Sequence, residues 1–273
     1  MTVIGSNVAA LRATNASTQA NMAMGEAMNR LSTGKRINSA KDDAAGLAIA
    51  ASMTAQIKGM NQGIRNANDG ISMAQTGEGA LDEVNNMLQR MRELAVQSAN
   101  GTYSTTDKAN ITAEQDALSA QIGSIVANTA FNGKNLFSTA SNTVTVAAGA
   151  NAADNISVSF TELDASSTKL SAVVDFTNSK MKTGLSLQNF DDAISEVSTT
   201  RAGLGASQSR LQSAVNNLSN NATNLTDARS RIEDADFSSE STNLAKAQIL
   251  AQASTSMLAQ ANQSAQGVLK LLG

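Results

Sequence analysis

Three observations predict a mainly α fold, an elongated rod of long antiparallel coiled-coil helices with a small β-hairpin region. The 273-residue chain contains no proline, the residue least compatible with a helix interior. Its hydrophobic share of 41% draws heavily on alanine, with aromatics at only 3%, which suits thin, closely packed helix seams better than a thick aromatic core. Apolar residues also recur at alternating steps of three and four through long stretches of both halves, the spacing that keeps one helical stripe facing a partner.

From the N-terminus, Ile4, Val8, Leu11, Met24, Met28 and Leu31 form a patchy version of such a stripe. The basic cluster Arg30, Lys35 and Arg36 follows it; without interleaved aromatics it reads as a structural elbow, not a nucleic-acid site. Ser39 to Asp42 has capping-box spacing, so Asp42 and Asp43 read as helix-start carboxylates and not as an acid-base pair or metal ligands. Beyond them Met53, Ile57, Met60, Ile64, Ala67, Ile71 and Ala74 mark a long helix that resumes as Leu81, Val84, Leu88, Met91 and Ala95. The register skips at Gly77 and Gly79, where each glycine costs roughly 1 kcal/mol of helix propensity, and a local irregularity is expected there. The Asn100-Gly101 turn closes this helix. A third helix is predicted at about 105–128, capped by Ser104 and Asp107, with Ile111, Leu118, Ile122 and Ile125 inward.

Residues 138–185 change character. Thr143 to Val146 and Ile156 to Phe160 alternate with period two, and Gly149 lies between them, which predicts a β-hairpin. Then Leu187, Phe190, Ile194, Val197, Arg201, Leu204, Gln208, Leu211, Val215, Leu218, Ala222, Leu225, Arg229 and Ile232 trace one helix on the order of 70 Å long. A last track runs Phe237, Leu244, Ala247, Ala251, Leu258, Ala261, Ala265, Val268 and Leu272, with Glu240 and Ser254 as interruptions. The helices on either side of the hairpin pair only if the chain turns back, which brings the termini together. The expected organisation is a terminal segment of 1–38 and 235–273, a middle helical bundle of 39–137 and 186–234, and the hairpin region 138–185. The terminal seam of Ile4, Val8, Leu11, Met28, Leu31, Leu244, Leu258, Val268 and Leu272 is thin, and is predicted to order on assembly.

Composition narrows the function classes. The absence of histidine and cysteine removes the side chain that titrates near neutrality, the thiol nucleophile and thiolate metal sites. No GxxxxGK phosphate loop is present. An enzyme is not expected, nor a cofactor or metal site. A net charge of −3, from 20 basic and 23 acidic residues, gives no strong field toward nucleic acid or anionic membranes. No long apolar run for membrane insertion occurs, and the first residues lack the basic and apolar regions of a cleaved signal.

The stretches RINSAKDDAAGLAIA at 36–50, IKGMNQGIRNANDGISMAQTGEGAL, LQRMRELAVQSAN at 88–100, RIEDADF and AQILAQASTSMLAQANQSAQGVLKLLG resemble the terminal regions of bacterial flagellins, over well more than half of the chain. The resemblance implies a non-enzymatic filament subunit for swimming motility. Such a subunit is exported through the flagellar type III channel, assembled outside the cell, and built with its terminal segments in the filament core. It implies as partners other copies of the chain, an export chaperone, and hook-associated and filament cap proteins. By position it carries a subunit-interface surface, also read by the flagellin-sensing Toll-like receptor, onto Gln89, Arg90, Glu93, Leu94 and Glu114. It offers O-glycosylation as a second reading of Ser138, Ser141, Thr143, Ser166, Ser167 and Thr168. Large outer domains are missing, so the chain resembles a minimal flagellin. A hook-filament junction protein, which shares the terminal segments but is disfavoured by the match through 88–100, and a non-filament coiled-coil binding module, which deletion of either terminus discriminates, are the alternatives.

Overall fold

The computed structural model describes residues 6–138, 142–151, 153–164 and 168–270, and of 268–270 the backbone alone. The fold is mainly α. In chain order the elements are α1 (Val8–Thr33), α2 (Ala44–Ala99), α3 (Thr105–Asn128), β1 (Ala130–Phe131), β2 (Lys134–Asn135), β3 (Asn142–Ala147), β4 (Asn155–Phe160), α4 (Lys169–Val173), β5 (Val174–Asp175), β6 (Lys180–Met181), α5 (Leu187–Glu233) and α6 (Phe237–Lys270). The strands form three separate antiparallel pairs, β1 with β2, β3 with β4 and β5 with β6. No described helix is long and apolar enough to cross a membrane.

The chain divides into two compact units, Met1–Ala55 with Asn224–Gly273, and Gln56–Thr223. These borders fall inside α2 and α5, whereas the sequence suggested borders at 38 and 235. The elbow accounts for the difference. Arg36 N–H donates to Glu233 O (2.7 Å), Ala235 N–H donates to Gly34 O (3.0 Å), and Arg229 donates to the Thr54 hydroxyl (3.3 Å), so the first turns of α2 and the last of α5 belong with the termini.

In the unit Gln56–Thr223 the core is one cluster built from α2, α3, α5, the β3–β4 hairpin and the segments flanking it. Leu81, Leu88, Met91, Ile122, Leu136, Phe137, Phe160, Leu163, Leu170, Phe190 and Leu204 are its largest fully enclosed side chains, each worth about 1.5–3 kcal/mol of burial. Phe137 and Phe160 meet edge to face, centroids 6.0 Å apart, a preferred aromatic geometry.

The irregularity expected at Gly77 and Gly79 is absent: α2 runs unbroken through both. Its buried line is Gly63, Ala67, Gly70, Ala74, Gly77, Leu81, Val84, Leu88 and Met91, an alternation of four and three with no skip. Glycine occupies every seventh position of the first half because the hairpin lies there. A Cβ would stand 2.8 Å from Gly149 N at Gly63, 2.9 Å from Val146 Cγ2 at Gly70 and 2.9 Å from Phe160 Cε1 at Gly77. The bulk that the helix lacks is delivered by the hairpin.

The predicted hairpin forms with register Val144 to Val158 and Val146 to Ile156. The capping box of α3 also forms, Ser104 Oγ accepting from Asp107 N–H (3.2 Å) and Asp107 accepting from Ser104 N–H (3.0 Å). Two local readings need correction. At α2 the cap is Asp43, which accepts from Gly46 N–H (2.8 Å); Asp42 instead closes the preceding turn, accepting from Ser39 N–H (2.9 Å) and Asn38 N–H (3.1 Å). On α3 the buried line is Ile111, Gln115, Ser119, Ile122 and Val126, with Leu118 and Ile125 packed at its edge. Polar Gln115 is accommodated because it donates to Met91 O (3.1 Å). The β1–β2 pair was not predicted, although its Asn132-Gly133 turn, with φ 49° and 78°, is a tight-hairpin dipeptide.

Candidate assembly and recognition surfaces

The terminal unit is built on α1 and α6. Its interface is formed at seven-residue intervals by Ala13, Ala20 and Ala27 on α1, and by Glu240, Ala247, Ser254 and Ala261 on α6, all small but Glu240. Glu240 and Ser254, read from sequence as interruptions, are therefore members of the seam. A buried alanine methyl contributes only ~0.8 kcal/mol, so the seam brings the helices close without holding them strongly.

Polar anchors sit at both ends. Near the elbow Arg30 pairs with Glu240 (2.9 Å) and Glu26 (2.6 Å); the hydrogen bond to Glu240 is the main reason the Arg30 guanidinium is held charged above its ordinary range. Lys35 pairs with Glu233 (2.5 Å), and Arg36 donates to Ile232 O (2.7 Å). This is the structural elbow expected of Arg30, Lys35 and Arg36. Gly34 makes the turn possible: it ends α1 at φ 70°, its N–H donating to Arg30 O, a left-handed conformation that favours glycine. Far from the elbow, Asn7 caps α1 and donates to Ala261 O (3.2 Å).

The bulky side chains do not fill the two-helix seam. Val8, Leu11 and Met28 are exposed, Leu11 by 62%. Leu31, Leu244 and Leu258 are half-buried. Ile4 and Leu272 lie outside the described residues, as does the Val268 side chain. Met22, Phe237, Ile249, Leu250 and Met257, which the sequence analysis did not assign to assembly, are exposed too, Phe237 by 72% and Ile249 by 68%. Along one side of the pair runs a trough, mixed in polarity near the elbow and mainly apolar beyond it. One stretch of about 450 Å³ lies between Arg30 with Glu240 and Ala16 with Ser254, and a second of about 550 Å³ continues to Ala9 and Ser264; the two share Ala16, Leu250 and Ser254.

The second surface lies on α2 and α3 in the other unit. Arg90 donates to Glu114 on α3 (3.0 and 3.1 Å) and to Glu93 one turn away (3.2 Å), and these carboxylates, Glu114 foremost, hold its guanidinium charged. Gln89, Arg90, Glu93 and Glu114 are exposed. Leu94 is not with them: at 2% exposure it is a core residue, because it continues the inward line of Leu88 and Met91. Arg92 ties α2 to α5 through Asp191 (2.6 Å).

Of the hydroxyls considered for glycosylation, Thr143 is exposed on β3. Ser138 accepts from Asn135 (3.0 Å). Thr168 caps α4 and donates to Leu163 O (3.1 Å), so modification there breaks a turn. Ser141, Ser166 and Ser167 lie outside the described residues.

A family model described as the bacterial flagellin N-terminal helical region matches residues 4–143, and one described as the bacterial flagellin C-terminal helical region matches residues 187–272. The flagellin of Halalkalibacterium halodurans is 46% identical over 251 residues, covering 90% of this chain and 91% of the relative. That of Bacillus subtilis is 42% identical over 301 residues, covering 98% and 99%. Among solved structures, Bacillus cereus flagellin is 28% identical with a TM-score of 0.46, covering 60% of this chain and 94% of that one. With both helical regions matched in order and relatives aligned along almost their whole length, the chain belongs to the bacterial flagellins, the structural, non-enzymatic subunits of the extracellular flagellar filament.

Proposed function

We propose that this flagellin is built into its filament through α1 and α6, whose outward apolar side chains and open trough are covered by the same helices of neighbouring copies. The observation that carries this reading is the inverted burial of the terminal pair, with alanine inside and Leu11, Met28, Ile249, Leu250 and Met257 in solvent. A monomer gains little from that arrangement, whereas each large side chain covered by a neighbour contributes about 1.5–3 kcal/mol. Folding of the termini is thereby coupled to assembly.

The test is seeded polymerisation of Leu250→Lys/Met257→Lys chains and of a chain lacking 241–273, followed by electron microscopy and circular dichroism. Both are expected to stay monomeric and to keep the helical signal of the Gln56–Thr223 unit. Long filaments from either would refute the assignment of the core to these helices.

A second surface, Gln89, Arg90, Glu93 and Glu114, is proposed as the contact to a neighbouring subunit and, on the free monomer, to the flagellin-sensing Toll-like receptor. Its support is an exposed arginine fork fixed by two carboxylates, the type of group that interface hot spots use; Leu94 would act by positioning the helix beneath it. A reporter response to monomer that Arg90→Ala leaves unchanged would remove the receptor reading. An export chaperone, hook-associated proteins and the filament cap complete the proposed partners, and export without a cleaved signal the proposed route.

A further inference from the structure

The chain contains no cysteine, histidine or tryptophan and a single tyrosine, but 11 methionines. Thioether sulfur is therefore its principal target for two-electron oxidants. Methionine is not spread evenly over environments. Met73 and Met91 are buried in the core of the Gln56–Thr223 unit, and Met24 on α1, Met53, Met60, Met87 and Met181 are half-buried. Among the described residues the exposed methionines are Met22, Met28 and Met257, at 63%, 59% and 66%. All three lie on α1 or α6, and Met257 lines the trough between them. Any of the helix-favouring apolar side chains would cover a neighbour as well as methionine does, but methionine alone can be converted reversibly into a polar group.

We propose that Met22, Met28 and Met257 form an oxidation site that governs the assembly competence of the free subunit, with hydroperoxides as the co-reactant. A sulfur lone pair attacks the outer oxygen of the peroxide and the O–O bond breaks. One oxygen is transferred to sulfur, the other leaves after proton transfer as water from hydrogen peroxide or as an alcohol from an organic hydroperoxide, and the two-electron oxidation of sulfur balances the reduction of the peroxide. The product sulfoxide is a strong acceptor that prefers water to apolar cover. Drying it against a neighbouring subunit costs its hydration, which disfavours burial unless a donor such as Arg12 or Gln260, which line the stretch around Met257, replaces the water. The three side chains make little contact within the monomer, so their oxidation leaves its helical content unchanged. In the filament the same sulfurs are covered and react slowly.

This inference rests on the proposed role of α1 and α6. The experiment treats full-length monomer with hydrogen peroxide, locates each added oxygen by peptide mass mapping, and measures the subunit concentration at which seeded filaments form. Oxygen is expected first at Met22, Met28 and Met257, with unchanged helical signal, a critical concentration raised by at least about tenfold and recovery after methionine sulfoxide reductase. The same peroxide dose on preformed filaments is expected to leave those positions unmodified. A chain carrying Met22→Leu, Met28→Leu and Met257→Leu, compared with its own untreated value, is expected to show no peroxide-dependent rise. Full oxidation at the three positions with an unmoved critical concentration in the wild-type chain overturns the proposal and leaves the filament reading intact. If untreated chain forms filaments whose α1 and α6 methionines oxidise as fast as in monomer, the role of those helices fails, and the proposal with it.

Discussion

Replacing Gly63 by alanine tests whether the β3–β4 hairpin explains the glycines of α2. A Cβ at Gly63 would stand 2.8 Å from Gly149 N and 3.2 Å from both Ala148 C and Gly149 Cα. These are backbone atoms, so the hairpin must shift as a body. Gly79, on the same helix and exposed, has nothing within 4 Å of the added carbon. Both substitutions bring the same helix-propensity gain of ~1 kcal/mol and the same loss of unfolded-chain freedom, so their difference isolates the contact. Overpacking of this kind costs about 1–3 kcal/mol. Gly79→Ala should therefore stabilise the monomer by about 1 kcal/mol, and Gly63→Ala should lie about 1–3 kcal/mol below it. Urea denaturation of monomer, followed by far-ultraviolet circular dichroism, reads the difference as a shift of midpoint at constant slope. Amide exchange along β3 and β4 should also rise in Gly63→Ala alone. Equal upward shifts of both midpoints would refute the argument that α2 carries glycine to admit the hairpin.

Leu94→Ala should cost about 2–5 kcal/mol in the same assay, as an enclosed leucine does, whereas Arg90→Ala should leave the midpoint nearly unmoved because its ion pairs are exposed; comparable losses would mean that the Arg90 pairs are structural. The turn before α2 should depend on acid. The N–H of Ser39 first, then that of Asn38, hold the Asp42 carboxyl below its ordinary range, so its contribution is complete above the unfolded carboxylate pKa and disappears as pH falls through the lower folded value. Chemical shifts of the Ser39 and Asn38 amides should follow that titration, and Asp42→Asn should abolish it. At the elbow, Arg30→Ala leaves the enclosed Glu240 carboxylate without its cation, so amide protection in the first turns of α6 should fall further than in Arg30→Ala/Glu240→Gln; an equal loss in both would show that Arg30 acts by packing alone.

What could be read from the sequence follows how local its cause is. The box at Ser104 and Asp107 is a three-residue relation, and the β3–β4 alternation is contained in twelve strand positions; both formed as expected. The seam of α2 was misread at Gly77 because the partner that completes it, Phe160, lies far along the chain, and hydrophobic periodicity registers only what a helix itself supplies. The same reason hides Gln115, a core residue whose amide is satisfied by Met91 O on another helix. Leu94 was assigned to a surface by its place in a motif, while its spacing from Leu88 and Met91 already pointed inward.

The terminal helices show a different limit. Their bulky residues were read as the seam because large apolar side chains normally mark the buried face. In α1 and α6 the seven-residue repeat that is buried consists of alanine with Glu240 and Ser254, and the bulk lies outside it. The rule holds once the unit of folding is chosen properly. For one chain, large residues in solvent are a violation that no internal contact repairs. On the proposed assembly the same residues become the buried face of a filament of many copies, and the alanine seam is the close internal joint that lets two helices present a common surface. Periodicity marks these positions as apolar, and the proposed assembly supplies the partner that the chain itself does not. On this proposal a subunit has little reason to order its termini alone and a large one to do so against its neighbours, so a surface that looks deficient in the monomer would be what makes the polymer favourable.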